Sequence, residues 1–146
     1  MRPTGGHPQY HQAVIKQGGV LAVVAAGGVL GALARYGLGV AFPGRAGGFP
    51  WATFAVNVSG CLLIGVLVVL ITEVWAAHRL LRPFLGTGLL GGYTTFSTYV
   101  VDTTRLAGAG AAGTALAYLF GTMAAALLAT YLGVIGTRAV TRRRLA

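Results

Sequence analysis

Nine consecutive residues, Gly91-Gly92-Tyr93-Thr94-Thr95-Phe96-Ser97-Thr98-Tyr99, set two glycines, a run of hydroxyls and aromatic rings inside an apolar stretch. A helix that only anchors a chain in lipid is filled with Leu, Val and Ile. A glycine pair followed by hydroxyl side chains marks instead a backbone break lined with hydrogen-bonding groups. Carbonyls freed at Gly91-Gly92 have the chemistry to hold a small cation such as Na+, two from each of two chains. The competing reading is a tight helix crossing that needs both glycines. Phe96 and Tyr99 are three apart and share one face, while Thr94, Ser97 and Thr98 share another. Aromatic rings carry a positive edge, so these two can face an anion without a formal charge, although most rings in membrane helices only pack.

Other polar residues lie inside apolar runs. Asn57 sits six residues past Trp51, about 9 Å deep at 1.5 Å per residue, where an unpaired amide costs several kcal/mol. It therefore faces protein or water, either as an interhelical hydrogen bond or as a donor to a passing anion. Arg35, near the end of the first run, either snorkels to the interface or stands at a pore vestibule. Thr114, Tyr118, Thr122 and Thr130 recur at multiples of four, with Ala126 at the missing step, so they form one stripe along one helix face. A lone Thr satisfies itself on its own helix, but a row suggests a wetted track.

These residues need membrane helices to position them. The chain is 55% hydrophobic and 9% charged with 24 glycines in 146 residues, which describes a polytopic membrane protein rather than a soluble domain. Spans are expected at about 18–42, 51–72, 83–104 and 109–135, an all-α architecture with the third helix broken at mid-membrane. Residues 1–17 read as a mobile tail and 139–146 as a basic C-terminal tail, leaving 18–138 as the membrane domain. Gly27 and Gly31 form a small-xxx-small pair suited to a close helix approach. The net charge of +9 is no nucleic-acid footprint, because most basic residues flank apolar runs. Cys61 is the only cysteine, so there is no disulfide framework. His7 and His11 have metal-ligand spacing, but Pro8 between them and the absence of a nearby acid argue against a site. Four thin spans rich in small residues predict an oligomer, a dimer being the simplest. Hydroxyls, an amide and ring edges suit a small, strongly hydrated anion, and they also suit water or a small neutral solute.

Gly31-Ala32 followed by Arg35-Tyr36, then Asn57-Val58-Ser59-Gly60, then Gly91-Gly92-Tyr93-Thr94-Thr95-Phe96-Ser97-Thr98, closely resembles the CrcB/Fluc family of bacterial fluoride channels over about Gly18 to Arg138. The resemblance implies passive fluoride export through pores at the interface of an antiparallel, dual-topology dimer in the plasma membrane, with no enzymatic step. It implies a structural Na+ at the dimer centre, held by the main-chain carbonyls of Gly91 and Thr94. It also implies that Asn57, Phe96, Tyr99, Tyr118 and Thr122 line the fluoride path beside Thr95, Ser97 and Thr98, with Arg35 near a vestibule. This chain departs from the family pattern at Tyr99, where Phe is usual, and at Ala126, where a hydroxyl is common. The extra hydroxyl either donates to fluoride or bonds elsewhere.

With both termini on one side, that side carries Arg2, Lys16, Arg79, Arg82, Arg138, Arg142, Arg143 and Arg144, against Arg45 and Arg105 on the other. This bias places the termini in the cytoplasm. An antiparallel dimer then calls either for a homodimer that overrides the bias or for a heterodimer with an oppositely oriented homologue. Competing functions are a small membrane scaffold and a four-span proton-coupled transporter, the latter weakened because Glu73 and Asp102 lie near span ends.

Overall fold

Every regular element in the computed structural model, which describes residues 8–45, 47–75 and 79–145, is helical. Helix α1 runs Pro8–Ala41. Helix α2 runs Trp51–Val69 and widens into a π-helical turn, Leu70–Val74. Helix α3 is a π-wound segment, Pro83–Leu90, continued by one α-turn, Gly91–Tyr93. Helix α4 is Phe96–Gly108 and α5 is Ala112–Leu145. Among the described residues three stretches are long and apolar enough to cross a membrane: Gln17–Ala41, Trp51–Val74 and Ala112–Arg142. The expected third span at 83–104 is broken midway, as its sequence suggested, into two half-length helices, α3 and α4, neither alone reaching the ~20 residues a crossing needs.

Both ends of the chain are more helical than their sequence suggests. Helix α1 begins at Pro8 rather than near residue 18, with proline in the first-turn position its fixed φ favours. The His7–His11 pair falls partly outside the described residues. Helix α5 continues through the stretch read as a C-terminal tail, because no Gly or Pro follows Gly136 and Arg and Leu are good helix formers.

Glycine sets the packing. A Cβ added at Gly27 would strike the Phe84 carbonyl and the Leu89 amide, one at Gly31 the Leu89 carbonyl, and one at Gly92 the Gly28 carbonyl. The small-xxx-small pair of α1 thus meets α3 backbone to backbone, as such motifs do where lipid offers no hydrophobic drive. A second crossing joins α2 and α5, where Gly65 lies against the Thr130 carbonyl and Gly133 against that of Leu62. Between α4 and α5, Tyr99, Leu106, Ala115 and Tyr118 form a buried cluster with Phe49 and Phe54 packed on it. Toward the far ends of α2 and α5 the exposed ion pair Glu73–Arg138 spans 2.7 Å, and solvent screening leaves such a pair little net stabilisation. Large apolar side chains such as Leu33, Leu127 and Phe120 face outward, as expected of a surface that meets lipid or another chain.

Candidate functional site

The backbone leaves the helix at Thr94 (φ −73°, ψ 155°) and Thr95 (φ −146°, ψ 122°). Gly91 is helical (φ −65°, ψ −36°), so within the expected break, Gly91 to Thr94, the glycine end stays in the helix and the chain departs at Thr94. The pair has a different purpose: Gly92 admits the α1 backbone, while Gly91 is exposed with no close neighbour.

What creates the break comes from a distant helix. Asn57 on α2 accepts from the Thr95 amide at 2.8 Å through Oδ1 and donates from Nδ2 to the Thr95 carbonyl at 2.9 Å. The Thr95 hydroxyl then caps α4 by accepting from the Thr98 amide at 3.2 Å, the N-cap arrangement for which Thr is suited. Two amides are thereby diverted. The Thr95 and Thr98 N–H groups are the i+4 donors that a continuous helix would give to the carbonyls of Gly91 and Thr94. Both carbonyls are left with lone pairs to offer a hard cation, so the two residues expected to bind Na+ fit that ion by their chemistry. Among the described residues no group of three His, Cys, Asp or Glu side chains exists to bind a metal in another way.

Beside the break lies an open cleft of about 250 Å³ that brings together Asn57, Thr94, Thr95, Phe96, Tyr99 and Thr122, with Cys61, Met123 and Ala126. Phe96 is 77% exposed and its ring centroid is 5.8 Å from that of Tyr99. The Thr122 hydroxyl is buried and has no hydrogen-bond partner, unlike that of Thr130, which donates to the Ala126 carbonyl on its own helix. Thr122 therefore keeps an unspent hydroxyl buried in the wall of the cleft, whereas that of Thr130 is spent on its own helix. The Tyr99 hydroxyl turns away from the cleft and donates to the Leu119 carbonyl of α5. Of its two possible uses, it takes the bond elsewhere.

The other expected residues divide. Tyr118 is fully buried behind Tyr99, ring centroids 5.3 Å apart, with its hydroxyl near Thr53 and Asp102 but in no hydrogen bond of standard geometry. Thr98 receives a hydrogen bond from the Thr95 hydroxyl at 3.0 Å and faces a second cleft, of about 310 Å³, with Arg35, Tyr36, Thr53 and Thr95. Ser97 is exposed, 3.3 Å from the Thr95 hydroxyl, and lines neither cleft. Arg35 keeps a buried, unpaired Nε at that second cleft. Thr95 alone borders both, which places it at the junction of the Arg35 side and the Phe96 side.

Sequence reasoning passed over one further pair. Thr53 donates to Asp102 at 2.7 Å, tying α2 to α4. Helical spacing carried the signal, since Thr53 precedes Asn57 by four and Asp102 follows Tyr99 by three. Ser59 and Tyr93, 2.9 Å apart, add a polar tie between α2 and α3.

Apolar helices sewn together through glycine, one of them interrupted where polar groups converge, define a polytopic membrane protein of the channel and transporter class. The family described as CrcB-like protein, Camphor Resistance (CrcB), matches residues 22–134, and the chain belongs to that family. It is 59% identical over 107 residues to the fluoride-specific ion channel FluC 2 of Streptomyces avermitilis, covering 73% of this chain and 68% of that one. Over 128 residues it is 56% identical to fluoride-specific ion channel FluC 1 of Streptomyces coelicolor, covering 88% and 83%. A third relative, fluoride-specific ion channel FluC 2 of Nocardia farcinica, is 53% identical over 122 residues, covering 84% and 87%.

Proposed function

We propose that this chain is a subunit of a fluoride channel that lets fluoride leave the cytoplasm passively. The observation that carries the proposal is the unpaired Thr122 hydroxyl buried in the wall of a cleft that also holds the exposed ring of Phe96. Its curated relatives are named as fluoride-specific channels, which supports the same ion.

Fluoride is small and strongly hydrated, so a path for it must replace water with donors while avoiding a permanent charge that would trap it. Thr122 donates through its hydroxyl, Asn57 through the amide hydrogen not given to Thr95, and Phe96 and Tyr99 through their ring edges. Tyr118 backs the Tyr99 ring, and the hydroxyls of Thr95 and Thr98 lead toward Arg35, whose charge raises the local anion concentration. No bond is made or broken, so no enzymatic role is assigned.

One chain supplies one wall of this path. In this reading a second chain, antiparallel to the first, covers Phe96 and completes two pores at the interface. The carbonyls of Gly91 and Thr94 from both chains hold a structural Na+, which supplies a fixed positive charge and ties the two breaks together. The eight-against-two distribution of basic residues favours an orientation with both termini in the cytoplasm, and therefore an oppositely oriented homologue as partner rather than a second copy.

Purified protein reconstituted in liposomes loaded with fluoride or chloride tests the proposal. Rapid fluoride efflux with negligible chloride efflux is expected, and passage of neither ion would favour a scaffold role. Robust flux from this chain alone would remove the need for a heterodimer. Exchanging Na+ for N-methylglucamine throughout purification should abolish flux if the cation is structural.

A further inference from the structure

On the opposite side of the α2–α5 crossing from the ion cleft lies an elongated groove of about 510 Å³, walled by Val66, Leu70 and Val74 of α2 and by Leu132, Gly136 and Val140 of α5, with Trp75 at its end. Its floor exists because Gly136 has no side chain: a Cβ there would meet nothing within 4 Å, whereas Gly133, one turn before, is pressed against α2. The π-helical turn at Leu70–Val74 widens the opposing wall and is closed by the Trp75 amide donating to the Leu70 carbonyl at 2.7 Å. Two hydroxyls border the groove, but both are spent on their own helix. Thr137 donates to the Gly133 carbonyl at 2.7 Å and Thr141 to the Thr137 carbonyl at 3.0 Å. The lining therefore offers hydrocarbon contact and no free donor.

Polarity is confined to one end. From Leu62 at the inner limit to Val74 the groove follows twelve residues of α2, about 18 Å, a little more than one leaflet of the ~30 Å hydrocarbon. Trp75, 42% exposed, lies where an interfacial indole is expected. Just beyond, Arg142 is exposed on α5, one position past Thr141 at the groove's border. The acid at this level, Glu73, is already paired with Arg138. Hydrocarbon along one leaflet with the exposed cation of Arg142 at its polar end matches an anionic phospholipid, chain in the groove and phosphate at Arg142.

We propose that this groove is a binding site for one acyl chain of an anionic phospholipid from the leaflet in which α5 ends. The test uses protein equilibrated with phosphatidylglycerol and phosphatidylcholine of matched chains, then examined by native mass spectrometry. Preferential retention of phosphatidylglycerol is expected, and equal retention of the two lipids would overturn the proposal. Gly136→Leu fills the floor without touching the helix crossing and should lower the lipid-bound fraction at least tenfold; unchanged retention would overturn it. Arg142→Gln should weaken the preference for phosphatidylglycerol several-fold, and an unchanged preference would overturn the headgroup assignment. Should Gly136→Leu reduce dimer formation and leave lipid retention intact, the groove is an interface between chains and the lipid assignment is wrong. A readout independent of that variant is Trp75 fluorescence in a Trp51→Phe background, which brominated phosphatidylglycerol should quench several-fold more than brominated phosphatidylcholine; equal quenching would overturn the assignment.

Discussion

The side chain of Asn57 completes both main-chain hydrogen bonds of Thr95, at 2.8 and 2.9 Å, as a neighbouring strand would. An amide is suited to this because it presents a donor and an acceptor side by side. Replacement by Ala strands a buried amide and carbonyl, at about 1–3 kcal/mol each, and lets the α3–α4 junction move. Asn57→Ala should therefore lower the thermal midpoint markedly and abolish fluoride flux. Asn57→Asp restores the acceptor only, and it should recover part of the stability and none of the flux. Wild-type melting of Asn57→Ala would refute the clamp.

Thr122→Val separates a structural hydroxyl from a functional one. The side chain is near-isosteric, and the hydroxyl it removes is buried without a partner. Folding should be unharmed or improved by about 1 kcal/mol, since an unsatisfied polar group is lost. Fluoride efflux should nevertheless fall at least tenfold. Efflux at the wild-type rate would remove Thr122 from the path.

Tyr99→Phe should do the reverse. It deletes the bond to the Leu119 carbonyl and leaves the ring in place, at a cost of about 0.5–1.5 kcal/mol seen in chemical denaturation. Flux should stay within a few-fold of wild type, because the hydroxyl points away from the cleft. A large loss of flux without loss of stability would show that the hydroxyl itself meets the ion.

Phe96→Ile keeps an apolar side chain but removes the ring edge. Efflux should disappear while the oligomeric state, measured by cross-linking, is retained. Unchanged efflux would refute the role given to this ring.

The glycine pair predicts an asymmetry. Gly92→Ala drives a methyl into the Gly28 carbonyl and should cost about 1–3 kcal/mol, with poor yield of folded protein. Gly91→Ala meets only ordinary van der Waals distance to the Gly86 carbonyl and should fold normally. Equal damage from both would argue that the break, not the crossing, is what needs them.

Local pattern carried part of this architecture and missed the rest for identifiable reasons. Gly27 and Gly31 were legible as a crossing because their spacing of four repeats the helix period, and α3 indeed meets them. The break was legible at Gly91 to Thr94 but was attributed to the glycines, since glycine signals both a break and a close approach. Its true position depends on Asn57, 38 residues away in sequence, which local pattern does not register. Tyr99 was ambiguous for a similar reason: whether its hydroxyl finds an acceptor depends on Leu119, on another helix. The Thr53–Asp102 tie was hidden because an acid near a span end reads as solvated.

The contact between α1 and α3 is made by main chain on both sides, at Gly27, Gly31, Gly88 and Gly92. Where main chain meets main chain there are no rotamers to exchange, and a molecular switch requires at least two packings of comparable energy. Helix α3 is in that sense a fixed strut. It holds one edge of the break at constant height, while α4 meets α5 through side chains, Tyr99 and Leu106 against Ala115 and Tyr118, which can repack. Any opening or closing of the path must then arise on the α4 side of Thr95, or from the chain that faces it.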